Sequence, residues 1–211
     1  MKFSLTLSLL SLALVAASPA LEPIGPAGER LTKFYDTVPV EELWIMGAIV
    51  DWRTGEPTGK PVTDNGKHTH CSQFAAAACE RLGVYLLRPP EHSAVLLANA
   101  QYDWLPENGI GHGWVNVANG VAAQDLANRG QVVLAVYKNG DPKRSGPIAL
   151  IRPGIRTEVE IAQQGPDIIQ TGGHNYRRGN LKKGFANHPR AFANGEIKFY
   201  PHPVVKFGHA E

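Results

Sequence analysis

The feature that most constrains the fold is a helix predicted to begin near Cys71. The stretch from Ser72 to Ala78 is rich in alanine, the residue with the highest intrinsic helix propensity. Thr69 can cap this helix, and Gly83 follows it as a stop signal. Its apolar face recurs at helical spacing and comprises Phe74, Ala75, Ala78, Cys79 and Leu82. We therefore expect a buried helix that carries the Cys71 thiol in its first turn.

The two cysteines of the chain, Cys71 and Cys79, are both expected to be free thiols. Along a helix they are separated by a rise of about 12 Å, whereas the Cα atoms of a disulfide lie about 4.4–6.8 Å apart. Cys79 lies within the apolar face, where a cysteine usually packs as a small hydrophobic residue. Cys71 lies at the helix start, where unpaired amides and the helix dipole stabilise a thiolate and an oxyanion.

The first 20 residues are typical of a secretory signal peptide. Lys2 precedes an apolar stretch over residues 5–17, and the small residues Ser18-Pro19-Ala20 follow it. Such a stretch is too short to span a membrane, which takes about 20 residues, and no later stretch qualifies. The protein is therefore expected to be secreted, into a periplasm or the extracellular space, without membrane insertion.

Composition and charge favour an ordinary globular domain. The formal net charge of +2 gives no reason to expect nucleic acid as a partner. With 43% hydrophobic and 19% charged residues, the chain is not of the disordered type. We expect one domain over residues 21–211, of which residues 21–37 form an irregular N-terminal arm.

The order of predicted elements indicates an α+β fold. After the arm we expect a short helix running into a strand over residues 40–52, then a loop over residues 53–67. Beyond the Cys71 helix, one helix is expected to begin at Pro89 and another to cover residues 121–128. Strands are predicted at residues 132–137, 148–152, 159–162, 168–171 and 196–200. Helices followed by strands predict an antiparallel sheet with helices on one side.

A series of motifs runs in order through residues 65–200. They include HCSQF at 70–74, QDLANRG at 124–130, GPIALI at 146–151 and GPDIIQTGG at 165–173. The series resembles the papain-like bacterial amidases, the NlpC-type and CHAP-type peptidoglycan hydrolases, with their [HK]-C-[NS]-x-F helix and G-H-[IV]-A-[ILV]-[IV] strand. The resemblance implies a papain-like fold, with N-terminal helices packed on an antiparallel sheet. It also implies a cysteine nucleophile at Cys71, no metal or organic cofactor, and peptides of peptidoglycan as substrate.

One departure from the family pattern concerns the catalytic base. Pro147 stands where the family motif has its histidine, and proline cannot accept a proton. If the strands over 148–152 and 168–171 are antiparallel neighbours, His174 should face position 147 and replace the missing imidazole. Asn175 would then orient the ring, as Asn or Asp does in cysteine proteases. His112, between two glycines, is the alternative base.

Two further residues are predicted to support Cys71. A positive charge on His70 would favour the thiolate, and Asn65 is placed to donate to an oxyanion. His68, His70 and Cys71 are of the types that bind zinc, but near-consecutive residues rarely converge on one ion, so no metal is expected.

The residues thus support a secreted cysteine amidase or peptidase that acts through a Cys71 thioester with a histidine base. Hydrolysis and acyl transfer on the same pair of residues remain open at this point. The alternative from another class is a catalytically inactive module of the same fold that binds cell-wall peptides or glycans.

Overall fold

The computed structural model describes residues 21–207, so the predicted signal peptide lies outside the described residues. The helices are α1 (Pro26–Thr37), α2 (Cys71–Arg81), α3 (Leu97–Glu107), α4 (Gly120–Asn128), α5 (Glu158–Gln164), α6 (Leu181–Gly184) and α7 (Pro189–Ala193). The strands are β1 (Val132–Val136), β2 (Ile148–Ile151), β3 (Asp167–Gln170), β4 (Tyr176–Asn180) and β5 (Lys198–His202). The protein therefore belongs to the α+β class, as predicted.

The strands form one sheet in the order β4-β3-β2-β1-β5, and every neighbouring pair is antiparallel. This confirms the predicted antiparallel sheet. The apolar run of β1 is buried at all five positions, because the strand is central and both of its faces are covered. Val133 pairs with Ile151 of β2 on one side and with Pro201 of β5 on the other.

Helices cover both faces of the sheet, so the prediction of helices on one side is wrong. Val132, Leu134 and Val136 pack with buried residues of α1, α2 and α3. Val133 and Ala135, which alternate with them, pack in a second core with residues of α4, α6 and α7. The alternation of side chains along a strand therefore gives β1 two apolar surfaces, one for each core.

The N-terminal region is more regular than predicted. Residues 21–37, predicted as an irregular arm, contain α1, which buries Leu31 and Tyr35 completely. Pro26 at the helix start and Glu29 in the first turn are both favourable there, because proline lacks the amide that would be unpaired and glutamate complements the helix dipole.

Residues 40–52 contain neither the predicted helix nor the predicted strand. They form turns with one isolated bridge, between Val50 and Pro57. Trp44 has a left-handed φ of 53° and lies fully packed, with its ring 5.3 Å from that of Phe74. The apolar residues of this stretch pack against α2 through Trp44 and do not form a regular element. Their hydrophobicity therefore indicates burial, which the sequence alone does not distinguish from a helix or strand.

Three further elements differ from the predicted ones. Residues 89–95 form turns rather than a helix start, and Leu96 has a left-handed φ of 55°, so α3 begins only at Leu97. Residues 159–162 belong to α5, where alternating polar and apolar residues had indicated a strand. The edge strand β4 was not predicted, because its sequence YRRGN lacks an apolar alternation. Charged residues are common on edge strands, where they discourage pairing with other chains.

The start of α5 rests on a reciprocal cap, which yields a test of its helical assignment. The Thr157 hydroxyl accepts from the Glu160 amide at 3.2 Å, and the Glu160 carboxylate accepts from the Thr157 amide at 2.8 Å. Replacing Thr157 by alanine should lower the free energy of unfolding by about 1 kcal/mol. Thr157→Ser, which keeps the hydroxyl, should stay close to the parent in urea unfolding. Equal stability of the two variants would contradict the cap.

Candidate active site

The Cys71 thiol lies where the first turn of α2 meets the sheet. Cys71 is the first residue of α2, and its side chain packs in the same core as Ile148 and Leu150 of β2. The residue is only 7% exposed. Burial raises the pKa of the Cys71 thiol, and the backbone amides of Ile148, Ser72 and Cys71 itself act in the opposite direction. The predicted position of Cys71 in the first turn of a buried helix is confirmed.

The turn after β3 also meets Cys71. A Cβ atom placed on Gly172 would lie 3.9 Å from the Cβ atom of Cys71. In the pairing of β2 with β3, Leu150 stands opposite Ile169 and Ile151 opposite Ile168. Continued towards the start of β2, this register sets Gly172 opposite Pro147. The expectation that position 174 faces position 147 is therefore wrong by two residues.

His174 lies further along the same turn and is exposed to solvent. Its ring centroid is 6.3 Å from that of Tyr176, in a tilted arrangement. None of the hydrogen bonds found within residues 21–207 involves its imidazole. The role of His174 as the base stays a prediction.

The Asn175 amide fastens a neighbouring loop. Its Nδ2 donates to the carbonyl oxygens of Val40 and Leu43, at 2.6 and 3.1 Å, and its Oδ1 accepts from the Gly172 amide at 3.0 Å. In this structure Asn175 thus ties residues 40–43 to the turn beside Cys71 and makes no hydrogen bond to His174. The predicted role of Asn175 in orienting the His174 imidazole stays a prediction, and it would require the Asn175 amide to exchange its present hydrogen bonds.

His70, directly before α2, is buried, and its surroundings disfavour the charged form of its ring. Its Nδ1 lies 2.6 Å from the Gln73 Oε1 oxygen, which only accepts, so Nδ1 carries the hydrogen. Burial is the largest effect on the ring and lowers the pKa of His70, which keeps the imidazole neutral at neutral pH. Burial thus acts against the expected support of the Cys71 thiolate by an imidazolium charge, and that role of His70 stays a prediction.

The remaining predicted residues lie in other surroundings. The His112 ring stacks on Tyr85 at 4.8 Å and packs against Trp104 at 5.1 Å, so it belongs to an aromatic cluster. Asn65 is exposed in a loop that is organised by Asp64, whose carboxylate bonds to the Gly66 amide and to His68. Across residues 21–207, no three His, Cys, Asp or Glu side chains converge as a metal site would require.

Sequence reasoning missed two residues of α3 that shape the surroundings of Cys71. Asn99 donates to the Arg144 carbonyl at 2.9 Å and accepts from the Gly146 amide at 2.8 Å, which fixes the segment that leads into Pro147. Gln101 donates to the carbonyl of Ser72 at 3.1 Å, in the first turn of α2. Both side chains are buried, and the available signal was two amides spaced within one turn, among the alanines and leucine that begin the helix.

Comparison with known proteins adds no family: the chain matches no family model and has no significant match among curated proteins. Within the described residues, no helix combines the length and the apolar character that crossing a membrane requires.

The second thiol yields a test of the burial described here. Cys79 is fully buried, and burial raises the pKa of its thiol far above the ordinary value. The unfolded chain loses that proton near pH 8.5 while the folded chain keeps it, so the stabilisation is complete below that pH and is lost as pH rises. The unfolding free energy of both proteins is measured at pH 7 and at about pH 9.5. It should fall by about 1.4 kcal/mol more in the parent than in Cys79→Ala.

Urea unfolding of both proteins at the two pH values measures this difference. Other groups whose pKa is raised, such as Cys71, Tyr35 and Tyr200, are common to both proteins, so their contributions largely cancel. Equal losses would show that the Cys79 thiol is not shielded from water in the native state.

Proposed function

We propose that the protein is a secreted cysteine amidase in which Cys71 is the nucleophile. The observation that carries this proposal is the position of the Cys71 thiol at a helix start, among backbone amides. Its sulfur lies at the first turn of an eleven-residue helix, and the Ser72 amide of that helix and the Ile148 amide of β2 both favour its anion. Amides that stabilise a thiolate can equally stabilise the oxyanion formed when the sulfur attacks a carbonyl group.

The reaction follows from that setting. The Cys71 sulfur attacks the carbonyl carbon of an amide, the base takes the thiol proton, and the proton passes to the nitrogen as the C–N bond breaks. The acyl group remains on sulfur as a thioester. Water then attacks the thioester with the help of the same base, which releases the acid and restores the thiol. An amine in place of water would give acyl transfer.

His174 is the base in this proposal. Because burial keeps the Cys71 thiol protonated at rest, a base is required to generate the nucleophile. The turn that carries His174 begins beside Cys71, at Gly172, and the His174 side chain is exposed and free of hydrogen bonds in the described part of the chain. A rotation of this side chain towards the sulfur on substrate binding would complete the pair, as catalytic contacts often tighten only in the complex.

The substrate class rests on the motifs and the signal peptide. The order of motifs from HCSQF to GPDIIQTGG resembles that of peptidoglycan amidases, and the predicted secretory signal would bring the enzyme to the compartment of the cell wall. Peptides of peptidoglycan are therefore the proposed substrate.

A second candidate function is a non-catalytic module of the same fold that binds cell-wall peptides or glycans. The specific observations that favour it are the 7% exposure of Cys71 and the raised pKa of its thiol. Pro147 occupies the position of the family histidine, and no imidazole within residues 21–207 is hydrogen-bonded to the sulfur.

Alkylation kinetics separate the two functions. With iodoacetamide near pH 6.5, an enzyme with a working pair should label Cys71 with a rate that falls about tenfold in His174→Ala. Peptide mass spectrometry reads Cys71 and Cys79 separately, and Cys79 serves as the buried internal reference. His92→Ala, on a turn before α3, is the matched histidine control and should leave the rate unchanged. Labelling of Cys71 that is insensitive to His174→Ala would favour the non-catalytic module.

Incubation with purified peptidoglycan tests the reaction itself. The protein should release new amino groups, Cys71→Ser should release none, and His174→Ala should be slower by about a hundredfold or more. Added amine acceptors and product analysis distinguish hydrolysis from acyl transfer. Release that persists in Cys71→Ser would refute the thioester mechanism. Sedimentation with peptidoglycan that is unchanged by Cys71→Ser, without any release, would identify the binding module.

A further inference from the structure

A second candidate site lies on the sheet face opposite Cys71. An apolar cavity of about 310 Å³ opens between α4, α5 and α7, and its wall includes Ile161, Leu181, Phe192 and Phe199. A neighbouring cavity of about 630 Å³ continues along α5, α6 and α7. Ala162 and Phe192 line both cavities, so the two are adjacent, and together they are called the groove. Volumes of this size are typical of sites for small organic ligands.

Charge within the groove is confined to one side chain. Among the described residues that line the two cavities, Lys182 is the one charged side chain. Its ammonium lies 6.0 Å from the centroid of the Phe192 ring, at the junction of the two cavities. Lys182 is exposed and takes part in none of the salt bridges found within residues 21–207. The groove thus combines a long apolar wall with a single available positive charge.

We propose that this groove binds a medium- or long-chain carboxylate, with the hydrocarbon chain along the apolar wall and the carboxylate at Lys182. Burial of the chain supplies the affinity, since each methylene removed from water is favourable by a similar amount. The ammonium of Lys182 selects an anionic head group over a neutral or cationic one of the same length. Because a single ammonium contacts the head group as a point charge, selectivity should depend on charge more than on head-group shape.

The groove is separate from the Cys71 site. Leu181, Ile197 and Phe199 belong to the core on one face of the sheet, whereas Cys71 belongs to the core on the other face. Ligand binding here is thus independent of whether Cys71 is catalytic.

Calorimetric titration with decanoate, decanol and decyltrimethylammonium tests the proposal on the full mature chain. Decanoate should bind saturably and more tightly than the other two ligands. Lys182→Glu should weaken decanoate about tenfold, because an attraction becomes a repulsion, and should leave decanol within about twofold. Lys183→Glu is the matched control on the same helix, since the Lys183 ammonium lies over the Tyr176 ring at 4.7 Å and not in the groove.

Two further variants test whether the ligand binds in the groove or elsewhere on the protein. Ala162→Trp, at an exposed position shared by both cavities, should abolish binding of decanoate and decanol alike. Cys71→Ser should bind decanoate as the parent does. Absence of saturable decanoate binding, equal affinity for all three ligands, or an unchanged affinity in Lys182→Glu would each overturn the proposal.

Discussion

The packing of α2 against β2 and β3 is the constraint on which the rest of the structure depends. Every residue from Cys71 to Cys79 is buried, which a helix attains only when it is covered on all sides. The four successive alanines allow this close coverage, because small side chains let the sheet, α3 and the loop around Trp44 approach the helix together. Once α2 is fixed in this way, its first turn lies against the start of β2, and the Cys71 thiol comes to lie beside the Ile148 amide.

The same packing sets the chemistry of the thiol through two opposing effects. Removal from water disfavours the thiolate and is the larger effect, whereas the amides of Ile148 and Ser72 favour it. The result is a sulfur that is protonated at rest but surrounded by donors suited to an anion. Such a site depends on proton removal at the moment of attack, in contrast to a cysteine whose thiolate is already formed. On the turn beside Cys71, three hydrogen bonds hold the Asn175 side chain, whereas none of those found within residues 21–207 involves the His174 imidazole.

The sequence was sufficient for elements whose signals are local. The helix at Cys71, the helix ending at Asn128 and the apolar strands β1, β2 and β3 were all predicted, because propensity, periodicity and glycine stops agreed there. It was insufficient where burial by distant residues decides the backbone, as at Trp44, and where the pattern of one element imitates another, as in α5. The site shows the same division: the place of Cys71 follows from its own helix, but the position of His174 depends on a strand register. An offset of two residues in that register moves a side chain by about 7 Å, which is the difference between contact and exposure.

The neutral state of His70 illustrates why the charge of a site residue is harder to predict than its place. His70 adjoins Cys71 in sequence, and from that alone a supporting imidazolium was expected. Its ring is instead enclosed and hydrogen-bonded to Gln73, so the free energy of burying a charge outweighs any attraction to a thiolate. Different segments enclose the two residues: backbone groups of Ile45 and Ala48 lie against His70, whereas Ile148 of β2 and the turn at Gly172 lie against Cys71. The enclosed ring keeps its hydrogen bond to Gln73 through Nδ1, while its Nε2 is buried without a hydrogen-bond partner. His174, the proposed base, is instead exposed to solvent, where the cost of burying a charge does not arise.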